Sequence, residues 1–174
     1  MKKLPTLILL AVIGVGLVTF FLVRSVYVIP KLELTEAINS VPIYPLFVDR
    51  STGLLMFSMG GGPTSSAHKL LVTDEKEVDV NTILDFYEKW ARENGWKIIE
   101  KKYLNLNSSY PQPSLMISKG RIKNAKISID VGTFISGSSS FYAGADLKRA
   151  LTQKDFIKEN KKWFININLP YDRS

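Results

Sequence analysis

The chain has 174 residues, no cysteine, one histidine and a net charge of +7. Without cysteine there is neither a disulfide framework nor a lipid-modified N-terminal Cys, so stability rests on burial alone. A single histidine leaves His-based triads and His-rich metal sites short of partners.

The run from Leu4 to Val23 is twenty residues long and contains no ionisable side chain. As a helix it spans roughly 30 Å, the thickness of a bilayer's hydrocarbon core. Lys2 and Lys3 precede it, and the positive-inside rule then keeps the N-terminus in the cytoplasm and sends the rest of the chain across. A cleaved signal peptide would carry a shorter apolar region of about 7–15 residues and a small-residue cleavage site. Residues Val18 to Val23 are bulky instead, so residues 1–29 are expected to be an uncleaved, single-pass anchor in the plasma (inner) membrane. Pro5 falls in the first turn, where its missing N–H is harmless, and Pro30 is expected to stop a helix that overruns Val23. Gly14 and Gly16 are two apart and make no Gly-x-x-x-Gly pairing face.

The remainder, 151 residues after Val23, suits one extracytoplasmic domain. Setting aside Lys2 and Lys3 leaves 21 basic side chains against 16 acidic ones, a net +5. Nucleic acid is not an expected partner for a domain outside the cytoplasm, so the excess favours anionic headgroups or envelope polymers.

Residues 30–40 read as a polar linker with one helical turn, and residues 41–174 as the folded domain. Val41 to Asp49 is β-prone, but Pro42 and Pro45 remove two ladder donors and confine it to an edge strand or extended segment. Leu54 to Met59 and Ala67 to Thr73 read as a hairpin around a Gly-rich loop. From Asp79 on, Val80, Ile83, Leu84, Tyr87, Trp90 and Ala91 recur at helical spacing, with Phe86 broadening the stripe. Asp79 is the expected N-cap, Val78 a staple onto Ile83, and Gly95 the left-handed residue that turns Trp96 back onto Trp90 or Ala91.

Trp96 to Leu104 reads as a strand, and Ser114 to Ser118 with Arg121 to Ile135 as a hairpin about Lys119-Gly120. Ala125, Ile127, Ile129 and Val131 alternate with Lys126, Ser128 and Asp130, which predicts one buried and one wet face. The same parity puts Lys119, Arg121 and Lys123 inward, so the arm must bulge or leave the core before Asn124. Ala145 to Lys161 reads as a late helical insert, with Thr152 and Asp155 as a capping box. Trp163, Ile165, Ile167 and Leu169 alternate in a closing strand ended by Pro170. This order predicts an α+β fold: a transmembrane helix, then one antiparallel sheet backed by a main helix.

At Tyr44-Pro45, Thr73-Asp74, Ile83-Leu84-Asp85-Phe86-Tyr87 and Asn94-Gly95-Trp96 the chain resembles an uncharacterised bacterial domain. That domain recurs in lipoproteins and single-span membrane proteins, with a Tyr-Pro-Gly-Ala start, a Phe-Tyr in its helix and a Gly-Trp after it. The resemblance covers about Val41 to Val131. It departs at Leu46-Phe47, where the pattern has Gly-Ala, and in the insert from Phe141 to Lys162. It implies a fold and an envelope location, and no activity.

Several stretches invite a chemical reading. His68 sits alone on a strand, an ordinary half-exposed side chain. The run Asp74, Glu75, Glu77 and Asp79 lacks the Asp-x-Asp-x-Asp-Gly spacing of a calcium loop and suits the positive start of a helix. Gly60-Gly61-Gly62-Pro63-Thr64 lacks the Lys-Ser/Thr that closes a P-loop. Neither a metal nor a cofactor is expected. The remaining signal is a basic cluster, Lys148, Arg149, Lys154, Lys158, Lys161 and Lys162, a candidate contact for an anionic surface; each such charge near an anionic leaflet contributes about 1 kcal/mol. The functional expectation is a non-enzymatic accessory or binding protein of an envelope complex, with a membrane or envelope protein as partner. The alternatives are a direct binder of anionic lipid or polymer through that cluster, and an envelope hydrolase whose carboxylates meet only in space.

Overall fold

The computed structural model describes residues 3–51, 55–57, 65–105, 107, 112–135, 138–140, 150–151, 157 and 161–172, with side chains described at the same positions except 3–9, 26–27, 55–57, 65, 133–135 and 138–140. Helix α1 (Lys3–Val23) runs through a π-helical turn, Arg24–Val28, into α2 (Ile29–Ser40) without leaving helical backbone angles. Pro30 does not stop the helix as expected. The Ile29 N–H reaches back five residues to the Arg24 carbonyl, and this widened turn gives the proline ring room where the next α-helical bond would have needed its missing N–H.

The sheet comprises β1 (Val48–Asp49), β2 (Leu55–Phe57), β3 (Ser65–Thr73), β4 (Lys97–Lys102), β5 (Ser114–Lys119), β6 (Ile122–Ile135), β7 (Ser138–Ser140) and β8 (Lys161–Tyr171). All pairings are antiparallel, in the order β1-β3-β8-β6-β5-β4; β2 also pairs with β3, and β7 with β6. Thus the fold is α+β, the 41–49 segment does end as an edge strand, and the last strand lies at the centre. β8 runs through Pro170 to Tyr171 and does not stop at the proline. Its neighbour β6 bulges over that stretch, between the pairs Ile122↔Tyr171 and Lys126↔Asn168, so the missing N–H falls where the ladder is already interrupted.

Helix α3 (Val80–Glu93) buries Val80, Ile83, Leu84, Tyr87, Trp90 and Ala91, the stripe its spacing predicts. Asp79 caps it, accepting from the Asn81 and Thr82 N–H groups at 3.0 and 3.2 Å. At the other end the Trp96 N–H donates to the Ala91 carbonyl and the Gly95 N–H to the Arg92 carbonyl, with Gly95 at φ +72°. This is a complete Schellman cap, and it brings the Trp96 ring 5.9 Å from Trp90.

The 30–40 segment corrects the expectation of a linker with one helical turn. It is a twelve-residue helix that buries Pro30 and Leu34. Leu34 joins a single core with Leu71, Ile83, Leu115, Ile127 and Ile165, so α2 and α3 together cover one sheet face. Each large side chain so buried is worth about 1.5–3 kcal/mol. Lys69, 8% exposed on that same face, fastens α2 by donating to the carbonyls of Ile38 and Val41 at 3.2 and 2.7 Å.

Candidate functional site

Among the described residues, the longest run of uncovered apolar side chains is on α1. From Leu10 to Val23 ten large apolar side chains are between 48% and 67% exposed, and they point to every side of the helix. Such a helix is out of place in water and suited to an apolar solvent. Among the described residues, whose side chains in α1 begin at Leu10, no helix is long and apolar enough to cross a membrane.

Of the basic cluster, Lys148, Arg149, Lys154 and Lys158 lie outside the described residues. Lys161 and Lys162 open β8, opposite Thr133 and Gly132. Lys162 pairs with Asp74 at 2.5 Å, so part of the positive charge expected for an anionic surface is already matched by the acidic segment ahead of α3.

His68 stands opposite Asn168 on β3, exposed, with its Nε2 3.0 Å from the Ser66 hydroxyl. Burial lowers its pKa, which favours the neutral ring. No group of three or more His, Cys, Asp or Glu side chains is placed to hold a metal among the described residues.

The outer sheet face carries the arrangement that the alternation of β6 misread. Lys126, Ser128 and Asp130 were expected to be wet, but Ser128 is 5% and Asp130 4% exposed. Gln112 explains part of this, bridging the row: the Lys126 ammonium donates to Gln112 Oε1 at 2.8 Å, and Gln112 Nε2 donates to Asp130 Oδ2 at 2.9 Å. Asp130 Oδ1 has no partner among the described residues. Burial pushes the Asp130 carboxyl above its ordinary range, against the hydrogen bond from Gln112. A signal for this was present in the sequence. Phe164 and Val72 occupy the outward phase of their strands and lie in register beside Asp130, and both are buried.

A second polar group sits outside α3. Lys101, with its side chain 11% exposed, donates to Glu88 Oε2 at 2.6 Å and to Asp85, while Arg92 holds the other Glu88 oxygen at 2.6 Å. The hydrogen bonds from Lys101 and then Arg92 hold the Glu88 carboxyl below its usual range. These charges bind strand β4 to α3 and are engaged with one another.

Tyr44, Phe86, Tyr87 and Gly95-Trp96 pack and cap. Tyr44 meets Phe86 and Phe47 edge-on at 5.1 and 5.9 Å, and Tyr87 donates to the Pro42 carbonyl at 3.2 Å. Comparison of the chain with known protein families, with curated proteins and with solved structures gives no match.

Proposed function

We propose that the protein is a single-pass membrane protein of the cell envelope, with α1 as its span, Lys2 and Lys3 on the cytoplasmic side, and the sheet domain outside as a binding or accessory module of a membrane complex. The observation that carries this reading is the uncovered apolar surface of α1, exposed on every side from Leu10 to Val23; with Leu4 to Leu9 the run has the length a bilayer needs. The accessory role is supported by how the polar groups are used. Lys101, Glu88, Asp85 and Arg92 hold a strand to a helix, Lys69 holds α2, and Gln112 links Lys126 to Asp130.

Membrane flotation and alkaline extraction test the anchor. The full chain should float with vesicles and resist extraction, deletion of residues 3–23 should release it, and external protease should reach the sheet domain in spheroplasts. Recovery of the full chain in the soluble fraction would end the reading. Affinity capture from solubilised membranes tests the accessory role, with the α1-deleted chain as control; a consistent membrane partner is expected, and its absence would remove that part alone.

A further inference from the structure

From the end of the π-turn at Val28 through α2 the helix has apolar residues on two sides, and the sheet takes only one. Pro30 and Leu34 face the core, with Ala37 and Ile38 packed against it. On the opposite side Val28 is 45% and Leu32 63% exposed. They are four residues apart and share a face. Asn39, also exposed, continues the same stripe, with Lys31 exposed on one flank and Glu36 on the other.

Lipid does not cover the upper part of this stripe. Leu32 is nine residues past Val23, so it stands roughly 13 Å beyond the hydrocarbon edge, and about 10 Å beyond it at a tilt of about 40°. The headgroup layer of one leaflet is only about 5–8 Å deep. Leu32 is therefore a large apolar side chain above the headgroups that is 63% exposed.

We propose that a second copy of this chain docks there, making a parallel dimer through the outer face of α2. The proposal rests on the membrane-anchored reading above, because the anchor fixes the height. A second copy inserted in the same orientation carries its own Val28 and Leu32 to the same level, so apolar meets apolar without adjustment. The flanking charges complement one another. In a parallel helix pair a flanking residue meets the one five positions further along on the other helix, which sets Lys31 against Glu36 of the partner subunit, and does so twice by symmetry. Asn39 adds a polar position on the seam, the device that fixes register in such pairs.

Because the chain has no cysteine, single substitutions report contacts cleanly. In the full-length protein in native membranes, Val28→Cys and Leu32→Cys should give disulfide-linked dimers under mild oxidation, several-fold above Glu33→Cys, which is exposed at the same height beside the stripe. In the Leu32→Cys background, Lys31→Glu or Glu36→Lys alone should lower the yield about two- to five-fold, and the two together should restore it. Equal yields at all three cysteine positions, or a double charge swap that fails to rescue, would overturn the dimer. Alkaline extraction of the same samples separates the two failures. A chain that stays in the membrane and does not cross-link refutes the dimer and leaves the anchor standing, whereas a chain that extracts refutes both.

Discussion

Replacing Leu46 with glycine is expected to stabilise the domain. Pro45 and Leu46 form the centre of a turn closed by the Phe47 N–H on the Tyr44 carbonyl at 3.1 Å, and Leu46 has φ +71°. Proline followed by a positive φ is type II geometry, which asks for glycine at the second position. A side chain with a Cβ costs about 1–2 kcal/mol in the left-handed region, and the greater unfolded-state freedom of glycine takes back about 0.5–1 kcal/mol. Leu46 is 72% exposed, so its side chain returns little burial. The net gain is about 0.5–1 kcal/mol, or roughly 2–4 °C in the thermal midpoint of a domain this size. Tryptophan fluorescence of the full chain in detergent micelles reads it, since Trp90, Trp96 and Trp163 are all in the core. Leu46→Ala keeps the Cβ and should stay within about 0.5 kcal/mol of the parent. An unchanged or lowered midpoint for the glycine variant, or an equal gain for the alanine variant, would refute the strain argument.

The other predictions concern charges at helix ends and on the sheet. Asp79→Ala should cost about 1 kcal/mol by removing the cap of α3. The hydroxyl and N–H of Thr82, then the N–H of Asn81, hold the Asp79 carboxyl below its ordinary range; its contribution is present above the ordinary aspartate pKa and is lost as pH falls through the lower folded value, so Asp79→Asn should flatten that acid limb in urea titrations. For Asp130 the sign reverses. Its folded pKa is raised by burial, so stability is greatest below the ordinary aspartate pKa and falls as pH rises through the folded value; Asp130→Asn should therefore gain about 1 kcal/mol at neutral pH and nothing in acid, as read from paired urea midpoints. Lys69→Met should cost about 1–3 kcal/mol by stranding the Val41 carbonyl, while the Ile38 carbonyl keeps the Val41 N–H, and amide exchange along α2 should accelerate more than along α3.

Where one periodicity dominates, the sequence is easily read. The stripe of α3 is unbroken, its caps are local, and the structure has the same six residues inside and the same glycine at the turn. The β6 arm is as clear in a subtler way. Its parity conflicts between Lys123 and Ala125, and the chain resolves the conflict there, with Asn124 at φ +52° and a register shift in both neighbouring ladders. Asp130 was misread because alternation reports only which residues can face a core. It does not report that Gln112, eighteen positions earlier, will bridge the row above it. Of the basic cluster only Lys161 and Lys162 are among the described residues. Counting charge along 148–162 leaves out Asp74, which is distant in sequence and pairs with Lys162 in space.

The α2 segment shows how α1 and the sheet domain become one object. Read as KLELTEAINS it is mostly polar, yet Pro30, Leu34, Ala37 and Ile38 form a narrow apolar line at helical spacing, enough for one face against a sheet that is already there. The docking does not rely on those side chains alone. Lys69 reaches from the core face of β3 to the Ile38 and Val41 carbonyls at the C-terminal end of α2, where a cation also meets the negative end of the helix dipole. With the π-turn keeping α1 and α2 continuous, a tilt of α1 is passed to the sheet and not absorbed by a flexible tether. On the membrane-anchored reading proposed above, a partner that grips α1 would reorient the domain, which a Gly-Ser linker inserted between Val28 and Ile29 should abolish while leaving membrane insertion intact.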